Sequence, residues 1–450
     1  MHLFEEFSST TAQQWKEQII KDLKGGNYSQ LQWKTKNGFT LEPFYTSEDL
    51  KEPALPLFSE HDWDICEHIK VSDEKEANKR ALAALEGGAS GLAFYIHKKI
   101  DTKVLLKGIS IEHIYTQFFI SNDALHVLND LKANYGKVNA FDGKIKCFVN
   151  IDPLCLLAYY GEWHENKEKD LEVLKQLVHI PLNMVLYQEA GSNTVNELAI
   201  GLAHLNEYFN YLNDNKILKE KTIHCTLSVN GDFYNEIAKL RALRKLIALL
   251  QEQYGTNFAI HFHAQTAQIN KSSLDKHTNM IRTTTEAMSA IIGGCNSIGI
   301  LPYNEGFEDV TEFSARIARN QQHVLKNESY LNKVADISAG SYYIETLSEK
   351  LAEHAWEQFK LIESKGGFIK CLENNFIQDL ITADAQKLLN EVKEGKQILV
   401  GVNKYENKLE VRSQKSEVKS QKGVRKKTEI KPMKPIRLAE GFENKTETVK

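Results

Sequence analysis

The stretch Ile223-His224-Cys225-Thr226-Leu227-Ser228-Val229 is a short, mostly apolar run, and the helix-period segment Tyr234–Gln253 follows it. A second short run, Phe258–Gln265, comes directly afterwards. Short apolar runs are typical of buried strands, and apolar residues at helical spacing are typical of helices that pack on a sheet. This part of the chain therefore predicts a strand, a helix and a strand in succession.

The same alternation continues on both sides, from about residue 60 to about residue 330. Eight candidate strands can be counted: Trp63–Ile69, Gly91–His97, His113–Ile120, Lys146–Ile151, Leu182–Gln188, Ile223–Val229, Phe258–Gln265 and Ser297–Tyr303. Helix-period segments follow most of them: Glu74–Glu86, Asn122–Asn134, Val195–Leu212, Tyr234–Gln253, Asn279–Ile292 and Glu312–Leu325. Eight such alternations predict an α/β fold, a (β/α)8 TIM barrel. An open doubly wound sheet has the same local pattern and remains an alternative.

The flanking segments do not follow this alternation. An amphipathic stretch, Trp15–Lys24, ends at a Gly-Gly pair, and the alternating stretch Leu31–Thr35 follows. This arm has too little apolar surface for its own core, so it should pack on the main domain or on another subunit. The predicted domains are an N-terminal subunit-contact arm (1–50), the barrel (51–335), a helical extension (336–405) and a linker or tail (406–450).

Composition and charge are those of a globular protein. Hydrophobic residues make up 42% and charged residues 26% of the chain, and the formal net charge is −4. No overall field would attract nucleic acid or an anionic membrane. A basic run at residues 422–427 lies in a Lys- and Ser-rich segment, where a solubilising role is expected and nucleic-acid binding is the alternative. No run of about 18 apolar residues predicts a membrane span.

Six cysteines are scattered along the chain without a CxxC pair: Cys66, Cys147, Cys155, Cys225, Cys295 and Cys371. This spacing predicts buried, reduced thiols rather than a disulfide framework or a zinc site, and hence a reducing compartment. The first residues lack the basic-then-apolar order of a secretory signal. The expected location is the cytoplasm.

The seventh candidate strand carries polar residues on one side. His261, His263 and Gln265 alternate along it, so they point to the same face. In a barrel the C-terminal ends of the strands carry the active site, which would make these residues a polar mouth. A hydrogen-bonded pair of structural histidines is the alternative. Two histidines also begin some zinc sites, but no further ligand is evident, so no metal is predicted.

The sequence pattern does not decide the roles of three arginines. Arg282, near the start of a helix-period segment, could hold a phosphate or carboxylate with the help of the helix dipole, or pair with Glu286 at i, i+4. For Arg316 and Arg319 the alternatives are again an anion ligand and a structural clamp. No glycine-rich phosphate cradle, GxSxG, HExxH or EF-hand pattern occurs to decide the matter.

Six blocks of sequence, taken in order, resemble one enzyme family. They are Gln188-Glu189-Ala190-Gly191, residues 233–242, Arg282-Thr283 with Glu286-Ala287-Met288, residues 313–320, residues 339–345 and residues 400–405. With the N-terminal arm, they resemble the adenosylcobalamin-dependent acyl-CoA mutases, in particular methylmalonyl-CoA mutase. The resemblance implies a barrel that threads the CoA chain along its axis and a separate flavodoxin-like domain that carries the corrin across the barrel mouth. In that family, cobalt–carbon homolysis starts a radical rearrangement that interconverts methylmalonyl-CoA and succinyl-CoA.

Three positions in the barrel depart from the pattern of catalytic members. Those members carry a Tyr-His pair three and two residues before the glutamine of the first block, where this chain has Val185 and Leu186. Neither side chain donates a hydrogen bond, so the contact that polarises the thioester carbonyl is missing. His261 stands where catalytic members have an arginine that meets CoA, and histidine is mostly uncharged at neutral pH.

The end of the sequence departs from the catalytic pattern as well. Residues 437–443 resemble the lead-in to the cobalamin domain, whose Asp-x-His-x-x-Gly signature does not occur here. The cobalamin-binding domain is therefore expected to be absent, with adenosylcobalamin on a partner subunit. In both respects, in the barrel and at the end of the sequence, this chain resembles the small subunit of the heterodimeric bacterial enzyme. The segment from Trp63 to Ser90 resembles that subunit as well. The resemblance implies a non-catalytic barrel that stabilises a large catalytic subunit, with acyl-CoA reaching the complex.

Other functions remain as alternatives. One is a catalytic barrel whose cobalamin-binding domain is a separate chain, against which Val185 and Leu186 argue. A CoA-binding regulatory barrel and a metal hydrolase are the others. No catalytic residue is predicted. The candidate residues for a vestigial substrate contact are Gln188, His263, Gln265 and Arg282.

Overall fold

Eight parallel strands surround the centre of the molecule. The computed structural model describes residues 10–50, 56–58, 62–121, 124–135, 146–218, 221–406 and 428–448. The strands are β1 Trp33–Lys34, β2 Thr40–Leu41, β3 Asp64–Lys70, β4 Gly91–Ile96, β5 Tyr115–Ile120, β6 Cys147–Asn150, β7 His179–Asn183, β8 Thr222–Val229, β9 Ile260–Thr266 and β10 Ser297–Gly299. The strands β3 to β10 pair in the order β6-β5-β4-β3-β10-β9-β8-β7, and β1 and β2 form a separate hairpin.

The sheet curls into a nearly closed barrel. The last strand, β10, pairs in parallel with the first barrel strand, β3. The two ends of the strand order, β6 and β7, touch each other, but no ladder joins them in the described part of the chain. The predicted (β/α)8 barrel is therefore confirmed.

Helices cover the outside of the barrel and continue beyond it. The α-helices are α1 Ala12–Asp22, α2 Glu74–Glu86, α3 Thr102–Leu105, α4 Ala124–Tyr135, α5 Pro153–Tyr160, α6 Lys167–Gln176, α7 Val185–Glu189, α8 Thr194–Asp214, α9 Phe233–Gln253, α10 Thr278–Ile292, α11 Glu312–His323, α12 Tyr342–Ser364, α13 Gly367–Glu373, α14 Phe376–Lys393 and α15 Glu440–Thr448. Short 3-10 turns form at Tyr28–Gln30 and Ser47–Asp49, and α11 runs into a π-turn at Val324–Glu328.

The fifth predicted strand, Leu182–Gln188, is wrong in its bounds. The strand β7 covers His179–Asn183, and the short helix α7 covers Val185–Glu189. Apolar residues lie on both sides of Asn183, where the strand ends, so hydrophobicity alone does not separate the strand from the helix. Gln188 and the two apolar residues at the start of α7 therefore lie on a helix, not on a strand.

The barrel strands are buried on both faces, as strands between helices and a packed interior must be. In β4, Leu92 and Phe94 belong to the large core cluster that includes the surrounding helices. The alternate residue Ala93 belongs to a separate small cluster with Tyr115 and Phe148 of the next strands. Since successive side chains on a strand point to opposite faces, the small cluster is the inside of the barrel.

The N-terminal arm packs on the outside of its own barrel and leaves apolar groups exposed. Phe39 and Leu41 are buried, and the Phe39 ring lies 5.0 Å from the His354 ring of α12. In contrast, Trp15 is 52% exposed and Trp33 is 66% exposed. The arm therefore packs on the main domain, one of the two predicted options, and still presents a large apolar surface.

A buried ion cluster attaches α12 to α9. Arg241 Nη1 lies 2.7 Å from both carboxylate oxygens of Asp336, and Nη2 lies 2.6 Å from Glu345 Oε1. Burial opposes ionisation of Asp336, but hydrogen bonds from Arg241 and from Leu57 N hold the pKa of this carboxyl below its usual value. The cluster fixes the start of the C-terminal helices to the barrel.

The segment predicted as a linker or tail is described only in part. Residues 407–427 lie outside the described residues. Residues 428–448 lie against the barrel, where Met433 is buried and Ile436 N donates to the Glu189 carbonyl over 2.8 Å. This portion therefore packs across the barrel, and the boundaries of the four domains stay a prediction.

All six cysteine side chains are buried and none forms a disulfide, as predicted. Burial raises the pKa of Cys147 and of Cys295 to about 12, so these thiols stay protonated at neutral pH. None of the described helices combines the length and the apolar character that crossing a bilayer requires.

Glu363 of α12 gives a pH-dependent prediction. Burial and the neighbouring Glu207 carboxylate raise the pKa of Glu363 to about 7, from about 4.3 in an exposed glutamate. Between about pH 4.3 and pH 7, Glu363 thus keeps its proton in the folded protein and loses it in the unfolded chain. The stability contributed by this group is fully present below about pH 4.3 and is lost as the pH rises through about 7. We expect Glu363→Gln to gain stability relative to the wild type over this range.

Urea unfolding at several pH values between about 5 and 8 measures this difference. Glu357→Gln is the control, because Glu357 lies on the same helix but pairs with Lys360 at the surface. A difference between Glu363→Gln and the wild type that stays constant over this range would contradict the prediction.

Candidate functional site at the barrel axis and mouth

Four rings fill one level of the barrel axis, and we call them the axial rings: Tyr115, Phe148, His224 and His261. The centroids of Phe148 and His224 are 4.2 Å apart, and His224 stacks on His261 at 5.2 Å. Tyr115 stacks on His261 at 5.1 Å, and its hydroxyl lies 2.9 Å from His224 Nε2. Such separations are those of rings in contact. Since the rings come from β5, β6, β8 and β9, they meet across the barrel and close its axis at this level.

A second level of the axis is a hydrogen-bonded network. His68 Nε2 lies 3.1 Å from His263 Nε2, and His68 Nδ1 lies 3.1 Å from the Tyr95 hydroxyl. The Tyr95 hydroxyl donates to Gln265 Oε1 over 3.2 Å, and His263 Nδ1 lies 2.9 Å from Ser297 Oγ. The polar residues predicted for the seventh candidate strand thus face a packed interior.

Burial keeps these imidazoles neutral. It lowers the pKa of His68, of His261 and of His179, whose ring lies 5.3 Å from that of Phe148, to about 3, far below the usual value of about 6.5. A neutral His261 offers no positive charge to a phosphate, which agrees with the prediction from the sequence. The axis therefore presents hydrogen-bonding groups and no imidazolium at neutral pH.

A cavity of about 280 Å³, which we call the mouth cavity, lies at the C-terminal ends of the strands. Much of its lining is apolar and includes Tyr159, Pro181 and Pro435. Val185 and Leu186 line it as well, so α7 brings to this place the two residues that replace the Tyr-His pair of catalytic members. The volume lies at the low end of the range for small-molecule pockets.

Glu189, at the edge of the mouth cavity, is held by protein donors. Its Oε1 accepts from the Ser228 hydroxyl over 2.7 Å and from Gln268 N over 2.9 Å, and its Oε2 accepts from Ile269 N over 2.8 Å. Burial raises the pKa of Glu189, which these hydrogen bonds oppose. The carboxylate thus ties the end of α7 to the loop after β9.

Asp152 is the second carboxylate at the mouth cavity. Its Oδ1 accepts from the Tyr208 hydroxyl over 2.6 Å and from Cys155 N over 2.8 Å, and its Oδ2 accepts from Asn183 N over 2.7 Å. Sequence reasoning missed this residue. The available signal was an aspartate directly before Pro153 after a strand, which is typical of a helix N-cap.

The predicted substrate-binding residues do not converge on one place. His263 and Gln265 lie in the axis network. Gln188 is buried and its amide donates to Glu236 Oε1 over 2.8 Å, away from the mouth cavity. A substrate contact for these side chains stays a prediction.

Arg282, the fourth predicted residue, supports the C-terminal extension. Its Nη1 donates to Asn279 Oδ1 over 2.7 Å, and its Nη2 donates to the Val400 carbonyl. Glu286, the alternative partner, instead pairs with Lys271 at 2.8 Å. The guanidinium of Arg282 thus donates its hydrogen bonds to acceptors of the protein itself.

Arg319 is a clamp between α11 and the barrel. Its Nε donates to the Gly87 carbonyl over 3.0 Å, and its Nη1 pairs with Glu67. Arg316 instead lies over the Phe313 ring, 5.8 Å from its centroid. Of the two predicted roles, Arg319 has the structural one.

The comparison with known proteins identifies the family. The sequence model described as methylmalonyl-CoA mutase matches residues 94–449. The methylmalonyl-CoA mutase small subunit of Porphyromonas gingivalis is 34% identical over 447 residues, which cover 92% of this chain and 72% of that protein. The small subunit of Streptomyces virginiae is 26% identical, over 90% of this chain and 72% of its own length. Methylmalonyl-CoA mutase of Cereibacter sphaeroides is 27% identical, over 87% of this chain and 64% of its own length. The chain belongs to the methylmalonyl-CoA mutase family.

Proposed function

We propose that this chain is the small subunit of a heterodimeric methylmalonyl-CoA mutase, and that it stabilises a large catalytic subunit without catalysing the isomerisation itself. The two relatives named small subunit support this assignment. The holoenzyme would interconvert methylmalonyl-CoA and succinyl-CoA in the cytoplasm.

The closed barrel axis is the observation that carries the proposal. A barrel that threads a CoA chain needs a passage along its axis, and the axial rings occupy this space. Phe148 and His224 are buried and in contact, so opening a passage would break packed ring contacts and expose apolar surface. A barrel filled in this way is suited to packing against a partner.

The mouth cavity supports the same interpretation. Val185 and Leu186 have no hydrogen-bond donor in their side chains, and they line the cavity where a thioester carbonyl would need one. The nearby carboxylates Asp152 and Glu189 are occupied by protein donors. The family's donor position on α7 thus carries no group that could polarise a thioester.

The family depends on adenosylcobalamin, and the mouth of this barrel does not fit that cofactor. The family carries the corrin across the barrel mouth, and in this chain Pro435 of the C-terminal segment lies at the edge of the mouth cavity. His97 is the one histidine in the lining, and its Nδ1 lies 2.8 Å from Ser121 Oγ. The proposal therefore places the cofactor on the partner subunit, and no step is assigned to it here.

The N-terminal arm is the surface that we assign to the partner. Large apolar side chains on it stay exposed: Trp15, Ile20, Leu31 and Trp33. Large exposed apolar patches mark interaction sites on soluble domains. Burying this surface against the large subunit would stabilise both chains by mass action.

Co-expression with a large mutase subunit tests the proposal. We expect the two chains to co-purify, and this chain alone to show neither turnover with adenosylcobalamin nor binding of CoA by calorimetry. The large subunit alone should be less stable than the pair. Turnover by this chain unaided, or with only a separate cobalamin-binding chain, would establish the alternative of a catalytic barrel.

A further inference from the structure

Three potential metal ligands meet inside the barrel, next to the axial rings. Cys66 and His68 are alternate residues of β3, and His263 comes from β9 across the interior. One ligand atom of each lies within 4.8 Å of the others, and Cys66 and His263 are buried. In the part of the chain that the structure describes, these three side chains form the one group with this arrangement.

The spacing of the three atoms suits a shared ion. Imidazole nitrogens bind zinc at about 2.0–2.1 Å and thiolate sulfur at about 2.3 Å, so a nitrogen and a sulfur ligand of one ion lie at most about 4.4 Å apart. The Nε2 atoms of His68 and His263 are 3.1 Å apart, close to the separation of about 3.3 Å across a tetrahedral ion. The thiol lies within 4.8 Å of the imidazole ligand atoms and would move closer by up to about 1 Å to join them.

Hydrogen bonds suit one tautomer of His68 to this role. The Tyr95 hydroxyl donates to Gln265 Oε1, and its oxygen accepts from His68 Nδ1 when this nitrogen carries the proton. The Nε2 lone pair of His68 then points towards His263. Metal-binding histidines in proteins are held in this way, with the other ring nitrogen donating to an oxygen.

His263 is held from the opposite side. Its Nδ1 lies 2.9 Å from Ser297 Oγ, which accepts a hydrogen bond from it when His263 is protonated on Nδ1. In that tautomer the Nε2 lone pairs of His68 and His263 face each other at 3.1 Å, an arrangement that a bound cation stabilises. The other tautomer of His263 would make a simple N–H···N hydrogen bond and leave Cys66 with no part in the contact.

The neighbouring backbone leaves room for the cluster. Gly299 of β10 is paired with Cys66 of β3 in the sheet. A Cβ at Gly299 would lie within 1.9 Å of His68 Nε2, so any other residue at this position would displace the imidazole. The sequence alone gave no third ligand to His263, because the further ligands come from β3.

We propose that Cys66, His68 and His263 bind one zinc ion inside the barrel. Soft sulfur and borderline nitrogen donors in a buried set of this kind favour zinc over magnesium or calcium. The ion would link β3 to β9 across β10 and so fasten the seam where the first and last barrel strands meet. This inference stands on the interior of the barrel alone and does not depend on the proposed subunit role.

Cobalt substitution tests the site, because Co²⁺ takes the place of zinc and shows a thiolate charge-transfer band in the near ultraviolet. The full chain is produced in cobalt-supplemented minimal medium, and its metal content is measured by mass spectrometry. We expect about one cobalt per chain and a charge-transfer band. Cys66→Ser should abolish the band, while Cys371→Ser, a buried thiol on α13, should keep it.

Two further variants separate a ligand from its supports. His263→Gln removes a ligand and should lose most of the bound metal. Ser297→Ala removes no ligand but takes away the hydroxyl that contacts His263 and His261, so the metal affinity should fall by about 10–100-fold. Circular dichroism on every variant reports whether the fold is kept. A folded wild-type chain that carries no metal, or a band that persists in Cys66→Ser, would overturn the proposal.

Discussion

Arg241→Met should lower the free energy of unfolding by about 3–5 kcal/mol, the cost of removing one partner of a buried ion pair. Arg241 is 1% exposed and is the cation for both Asp336 and Glu345. Without it, two carboxylates that share one buried region would lose their counter-ion, and each would have to protonate or draw in water. The change should loosen α12, since this cluster joins the start of that helix to α9.

Equilibrium unfolding in urea at pH 7 measures the effect. Lys245→Met is the matched control, because Lys245 also lies on α9 and pairs with Glu349 of α12, but at a partly exposed position. Its loss should cost less than about 1 kcal/mol. Equal losses in the two variants would show that the buried cluster has no special role in holding the helices.

The contrast between these two pairs could not be predicted from the sequence. Arg241 and Lys245 occupy the same helix-period segment, one turn apart, and both carry positive charge. The two cations contribute differently to the free energy of unfolding because their partners differ. These partners are Asp336, Glu345 and Glu349, which come from a distant loop and helix. Local periodicity predicts which face of a helix is covered, but not which ion partner covers it.

The barrel itself was predictable because its signal is local and repeated. Each short apolar run followed by a helical pattern gives one strand and one helix, and eight repeats favour closure into a barrel. The fifth repeat failed in its bounds, because apolar residues continue beyond the strand end at Asn183 into Val185 and Leu186 of α7. A single polar residue at a strand end is only a weak mark in the pattern.

The contents of the axis were predictable only in part. Alternation correctly places His261, His263 and Gln265 on one face of their strand. It does not tell whether the facing strands contribute small side chains, which leave a passage, or large ones, which close it. Tyr115 and Phe148 decide that question, and both come from strands far from β9 in the sequence.

The same limit applies to the group of Cys66, His68 and His263. Each strand alone carries too few ligands to predict a metal site, and the set appears only when the sheet order brings β3 and β9 to either side of β10. The sequence therefore predicted the elements well and the contacts across the barrel poorly. Those contacts are what distinguishes a barrel that admits a long ligand from one that is packed solid.

The exposed tryptophans of the arm are expected to be essential for the proposed subunit contact. Trp33 is 66% exposed and Trp15 is 52% exposed, although tryptophan carries one of the largest apolar surfaces of any side chain. Tryptophan is also enriched among the interface residues that contribute most to binding. Because both side chains are more than half exposed in the single chain, their removal should affect binding far more than folding.

The double variant Trp15→Ala with Trp33→Ala should weaken binding to the large subunit by about 1,000-fold, since each truncation costs about 2 kcal/mol at the centre of an interface. Calorimetry measures the dissociation constant, and urea unfolding of the single chain should change by less than about 1 kcal/mol. Trp33→Phe, which keeps most of the apolar area, should retain most of the affinity. Phe313→Ala, an equally exposed aromatic residue on α11, is the control off the arm. If the double variant binds as tightly as the wild type, the arm is not the contact surface, and the large subunit must bind another face of the barrel.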